Sequence, residues 1–149
     1  MKIFAVIDTN VLVSALLKFN SIPGVILEKA VTGKIIPVLN EAIVNEYSEV
    51  LHRKKFGFLD KDIQVVINGL KQQGIFMNQA EFDEILPDEK DIVFYAVTME
   101  ARKNNLAYLV TGNIKHFPVK PYVVTPREFL TILEGNIENI SPTSNVPIS

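Results

Sequence analysis

Lys2-Ile3-Phe4-Ala5-Val6-Ile7-Asp8-Thr9-Asn10-Val11-Leu12-Val13-Ser14 is the stretch that decides how this chain folds. The almost wholly apolar run before Asp8 reads as a buried strand of the kind found in parallel sheets flanked by helices. It stops abruptly at a carboxylate. In open α/β sheets ligands bind beyond the carboxyl ends of the strands, so Asp8 stands where chemistry is usually placed.

From there strand-like and helix-like segments alternate, the pattern of an α/β domain with a mainly parallel sheet. Strands are predicted at 3–7, 35–39, 75–77, 107–110 and 121–124, and helices at 10–17, 22–32, 41–55, 60–73, 89–104 and 126–134. The last helix has a defined start: Thr125 caps it, Pro126 suits the first helical position and Glu128 completes a capping box. Residues 80–88 read as an acidic loop. Residues 135–149, rich in Asn, Ser and Pro, read as a flexible polar tail behind one domain spanning 1–134.

A chain of 149 residues, 48% of them hydrophobic, is long enough to bury a proper core. No apolar run approaches the roughly 18–20 residues that span a bilayer, and the N-terminal stretch lacks the pattern of a cleaved signal. With no cysteine there is neither a disulfide framework nor a thiolate metal site. The expected location is the cytoplasm, with no membrane partner. A net charge of −2 excludes a basic nucleic-acid coat protein. It does not exclude an enzyme acting on nucleic acid, because acids gathered at a metal lower the global charge while a local basic strip guides phosphates. His52-Arg53-Lys54-Lys55 is such a strip, and it suits equally well a solvated helix C-terminus favoured by the helix dipole.

Glu46 is the next informative acid. In the helix predicted at 41–55, Ile43, Tyr47, Val50 and Leu51 form an apolar stripe, and Glu46 borders it. A carboxylate leaning toward a core is costly unless it is paired, reaches water or binds metal. Asp88 and Asp91 open the helix at 89–104. Asp88 suits the N-cap, and acids in a first turn are stabilised by the helix dipole. Asp91 can serve both the dipole and a site, because its helix is apolar on most sides. Finally Ala107-Tyr108-Leu109-Val110 repeats the logic of the opening, an apolar strand ending in Thr111-Gly112-Asn113, whose small polar side chains offer oxygens at a strand terminus.

Acids at strand ends and first helical turns make sense together if they hold a hard cation, since Mg²⁺ and Mn²⁺ favour carboxylate and water oxygens. Such a cation serves phosphoryl chemistry. His52 and His116 show no zinc-ligand spacing. There is no Gly-rich phosphate loop, no nucleophile elbow and no dinucleotide fingerprint.

Four segments, Val6–Ser14, Asn45–Leu51, Asp88–Asp91 and Leu109–Asn113, together resemble the PIN-domain ribonucleases, in particular the VapC-like toxins of bacterial toxin–antitoxin systems. The resemblance covers about residues 1–130, with the four segments in family order. It implies a three-layer α/β/α fold with a parallel sheet and hydrolysis of RNA phosphodiesters with Mg²⁺ or Mn²⁺, leaving a 5′-phosphate and a 3′-hydroxyl. It further implies that Asp8, Glu46 and Asp91 are the catalytic, metal-holding acids. Thr9, Asn10, Ser14, Thr111 and Asn113 would position water and phosphate. The implied partners are an RNA substrate and a small cognate antitoxin, with a homodimer or higher homo-oligomer as a further expectation. Helices 41–55 and 60–73 carry more apolar surface than one sheet face needs, including Phe56 and Phe58.

One position departs from the family pattern. Asn113 stands where an aspartate is usual, and an amide still accepts through its carbonyl oxygen but removes a negative charge. The alternative reading is therefore a weakened or inactive PIN-like module that binds RNA or protein. A haloacid-dehalogenase-type phosphotransferase also places Asp after a first strand, but it calls for a second Asp two positions on, where this chain has Asn10.

Overall fold

The computed structural model describes residues 2–140. Five parallel strands, β1 (Phe4–Ile7), β2 (Ile36–Leu39), β3 (Ile75–Phe76), β4 (Ala107–Val110) and β5 (Val123–Val124), form one sheet in the order β3-β2-β1-β4-β5. Six helices surround it: α1 (Thr9–Leu17), α2 (Ile22–Val31), α3 (Glu41–Leu51), α4 (Asp60–Gln73), α5 (Glu89–Arg102) and α6 (Pro126–Ile140). The result is a three-layer α/β/α fold, as the alternating pattern requires.

The chain runs outward from β1 to β2 to β3, then crosses back over the sheet to β4. Crossovers between parallel strands are right-handed as a rule, so connections that run in opposite directions along the sheet cover opposite faces. Accordingly α5 packs on β1, β2 and β4, whereas α4 packs on β2, α6 on β4 and β5, and α2 touches both α4 and α6. The direction of winding reverses between β1 and β4. That reversal leaves a crevice beyond the strand ends. Its two walls are in step, because Ile7 is paired with Val110.

The core is a continuous apolar cluster in which Ala5, Val6, Ile7, Leu109 and Val110 are fully enclosed. Strands covered on both faces need apolar side chains on both, which is why β1 and β4 read as unbroken runs. Among the described residues, no single helix is long and apolar enough to cross a membrane.

Several boundaries differ from the sequence expectation by one or two residues, and those of α3 and α6 differ by more. α3 ends at Leu51 rather than continuing to 55, because Arg53 is extended (φ −64°, ψ 134°) and the following residues form a short 3-10 turn, Lys54–Phe56. β5 begins at Val123 rather than 121. α6 runs past Gly135 to Ile140, since an isolated glycine lowers helix propensity without ending a helix. The remainder of the expected polar tail, 141–149, lies outside the described residues. The capping box at the start of α6 is formed: Glu128 N donates to Thr125 Oγ1 at 3.1 Å and Thr125 N to Glu128 Oε1 at 2.9 Å.

Candidate active site

Asp8 follows β1 and caps α1, accepting from Thr9 N at 2.8 Å. Its second oxygen accepts from Thr111 Oγ1 at 2.7 Å and from Asn10 Nδ2 at 3.1 Å. Asp8 is only 6% exposed, and burial pushes its carboxyl up. The hydrogen bonds from Thr111, Thr9 and Asn10 pull it the other way, because each favours the ionised form. The carboxylate is thus fixed by three donors.

Asn10 does a second job. Its Oδ1 accepts from Gly112 N at 3.0 Å, joining the start of α1 to the turn after β4. A Cβ on Gly112 would lie 3.2 Å from that oxygen, so the close approach favours glycine. Thr111, fully buried, donates to Asp8 while its own Oγ1 accepts from Asn113 N at 2.9 Å.

Glu46 arrives from α3 and receives Thr9 Oγ1 at 3.3 Å. Beside it Tyr47 is buried and donates its hydroxyl to Ile7 O, locking α3 onto the end of β1. Asp88 caps α5, accepting from Lys90 N at 2.9 Å. Asp91 lies in the first turn of that helix with its side chain 14% exposed.

These residues border one open cleft of about 380 Å³ at the sheet's reversal point. Asp8, Thr9, Asn10, Ser14, Glu46, Asp91 and Asn113 all line it, whereas Thr111 stands behind Asp8 as its support. Sequence reasoning missed His116, Lys90, Val13 and Phe56 as members of the cleft. His116 follows the turn at Asn113, and its Nδ1 is 3.4 Å from Asp91 Oδ2. The two residues are remote in sequence, and only the turn after β4 could have pointed to the histidine. From the basic strip Arg53 reaches the cleft, though its guanidinium is held by Glu49 at 3.0 Å.

Among the described residues no three acidic or histidine side chains converge tightly enough to form a ready-made metal cage. Charge makes the case for a cation. Asp91 Oδ2 is buried and accepts no well-formed hydrogen bond among the described residues, His116 Nδ1 standing at the long distance of 3.4 Å. Burial pushes the Asp91 carboxyl up to about 6, helped by the negative charges of Asp8 and Asp88 and opposed by His116. Carboxylates crowded in this way favour either a proton or a hard cation among them. The donor set fits a divalent cation held by oxygen.

The acids thus gather at the winding reversal, the place where open α/β sheets bind their ligands. The chain belongs to the PIN-domain family, whose model matches residues 5–115. PIN domains are typically nucleases, and they generally use divalent metals. The chain is also similar to an uncharacterized protein of Methanocaldococcus jannaschii, with 28% identity over 90% of this chain and 94% of that protein. No solved structure matches it.

Proposed function

We propose that this PIN-domain chain is an Mg²⁺- or Mn²⁺-dependent endoribonuclease and the toxin of a toxin–antitoxin pair. The observation that carries the nuclease reading is the meeting of Asp8, Glu46 and Asp91 at one cleft, where the buried Asp91 Oδ2 has only a long contact, 3.4 Å, to His116 Nδ1. Asp8, Glu46 and Asp91 would hold the cation. When bound, it supplies activation of water and neutralises charge developing on the phosphate oxygens.

The chain's own residues do the positioning. Thr111, Asn10 and the Thr9 amide hold the Asp8 carboxylate in one orientation, so no reorganisation is needed when substrate arrives. Thr9 links Asp8 to Glu46 through its hydroxyl. Ser14 and Asn113 line the cleft with polar groups able to bond phosphate or water. The toxin role rests on the resemblance of the four segments, and its partner would be a small antitoxin covering the acidic cleft or an apolar groove between helices.

Divalent-dependent cleavage of RNA by the purified protein tests the reading, with Asp8→Asn as control. Equal activity in both would sink it. Growth arrest on expression, relieved by Asp8→Asn, tests the toxin role.

Asn113 favours a second reading, an inactive RNA- or protein-binding module, because it brings a neutral amide to the cleft where an acid would strengthen cation binding. Calorimetric titration separates the two. No divalent binding at millimolar concentration, together with activity appearing in Asn113→Asp, would establish the module.

A further inference from the structure

Phe56 has no part in the acid chemistry, yet it lines the same cleft as Asp8 and Asp91. The local chain explains how it is held. Arg53 leaves α3 in an extended conformation, Lys54–Phe56 make a 3-10 turn, and Gly57 follows at φ +71°. No atom lies within 4 Å of a Cβ built on Gly57, so glycine is favoured there by conformation rather than by space. The turn sets Phe58 against Phe56, with ring centroids 5.6 Å apart and planes inclined by 14°.

The two rings have different duties. Phe58 packs against the hydrophobic core, whereas Phe56 is half-buried and stands outside that packing. Phe56 is therefore an aromatic plate anchored by its neighbour, with Val13 and Val50 as apolar companions on the cleft wall. Lys54 and Lys55 are exposed on the same turn, and Lys55 Nζ lies over the Phe56 ring, 5.2 Å from its centroid, as a mobile exposed cation that a stacked base would displace. Lys90, also exposed, and His116 line the cleft as well.

We propose that the Phe56–Phe58 stack is a platform for an unpaired nucleobase of the RNA strand whose phosphate enters the acid cleft. This rests on the nuclease reading. An aromatic face flanked by exposed cations and continuous with acids suited to a divalent ion matches the alternation of base and phosphate along a single strand. Stacking of this kind is tolerant of base identity, because every base has a π-face. A duplex keeps its bases paired and cannot offer one to Phe56 without unstacking it.

The test is binding of a labelled mixed-sequence RNA oligonucleotide by fluorescence anisotropy, in the Asp8→Asn background so that the strand stays intact. Phe56→Ala should weaken single-strand binding about tenfold, and Phe56→Trp should preserve it. A strand carrying abasic sites should bind equally to the Phe56→Ala variant and its parent, an outcome that a merely structural role would not give. Equal affinity of Phe56→Ala and its parent for the intact single strand would overturn the platform, as would an equal loss on duplex or abasic strands. With Asp8 intact, divalent-dependent cleavage whose KM ignores Phe56→Ala removes the platform and leaves the nuclease. Strand binding that depends on Phe56, without cleavage, removes the nuclease and leaves the platform.

Discussion

Thr111 Oγ1 donates to Asp8 Oδ2 at 2.7 Å, tying the turn after β4 to the carboxylate at the end of β1. The same oxygen accepts from Asn113 N, so one buried hydroxyl holds both sides of the winding reversal. Thr111→Val keeps the shape and removes both bonds. The loss should be about 2–3 kcal/mol, because a hydrogen bond to a charged group disappears and a backbone N–H loses its partner. Urea unfolding at pH 7 measures it, and a change below about 0.5 kcal/mol would show that the hydroxyl supports nothing.

Asp91 sets a pH dependence whose sign is fixed by its environment. Its carboxyl is raised to about 6 in the folded state, from 3.8 as the ordinary value. Between those values the native state binds the proton more tightly than the unfolded chain, so this group's contribution falls as pH rises from about 4 through 6. Asp91→Asn should therefore raise Tm at pH 7.5 without divalent ions, by about 2–4 °C, and change little at pH 4. Mn²⁺ should raise the Tm of the parent more at pH 7.5 than at pH 5, and should not do so in Asp91→Asn. Differential scanning fluorimetry across pH gives both results.

His52 Nε2 and Asp60 Oδ1 are 2.7 Å apart and clamp the C-terminus of α3 to the N-terminus of α4. The hydrogen bond to Asp60, then that to Ser48 O, raises the histidine, and the histidine lowers Asp60. The raised His52 stabilises below its unfolded value of about 6.5 and loses that contribution as pH climbs through its folded value. The lowered Asp60 contributes above about 4 and loses its share as pH falls through its folded value. The Tm advantage of the parent over His52→Ala should be largest near pH 5.5 and smaller at pH 8.5. Both groups are solvent-exposed, so salt should erode the advantage.

Gly24, in the first turn of α2, carries a steric prediction. A Cβ there would meet Phe19 O at 1.8 Å, and backbone cannot swing aside as a side chain can. Ser21 caps the same turn through Gly24 N at 3.2 Å, which holds the segment close. Gly24→Ala should cost about 2–3 kcal/mol, read from urea unfolding, despite the better helix propensity of alanine. An unchanged midpoint would mean that the turn before α2 opens freely.

Much of this architecture is legible in residue patterns, and the parts that are not share a cause. β4 at 107–110 and α4 at 60–73 fall where periodicity places them, because each is bounded by residues that break its pattern. The end of α3 was hidden: basic and aromatic residues continue past Leu51, and only backbone geometry at Arg53 ends the helix. Gly135 has the look of a stop signal, yet α6 passes through it. At the candidate site, Asp8 and Asp91 were visible as acids at the ends of apolar elements. His116 and Phe56 were not, because their membership depends on turns that bring distant residues to one cleft. Thr111 reads in the sequence as a group that positions water and phosphate, whereas the register of β1 with β4 buries it behind Asp8 as that carboxylate's support.

That register also governs when the cleft comes into being. Asp8 and Thr111 are separated by 103 positions, and β4 is the strand that completes the pairing of β1. Contacts between such distant segments close a long loop before they return any stabilisation, and they need the whole intervening chain to be present. A growing chain carries Asp8 through most of its synthesis without the neighbour that orients it. Competence at this cleft is thus a property of the nearly finished domain, and fragments that stop short of β4 keep the acids while losing the geometry that makes them a site.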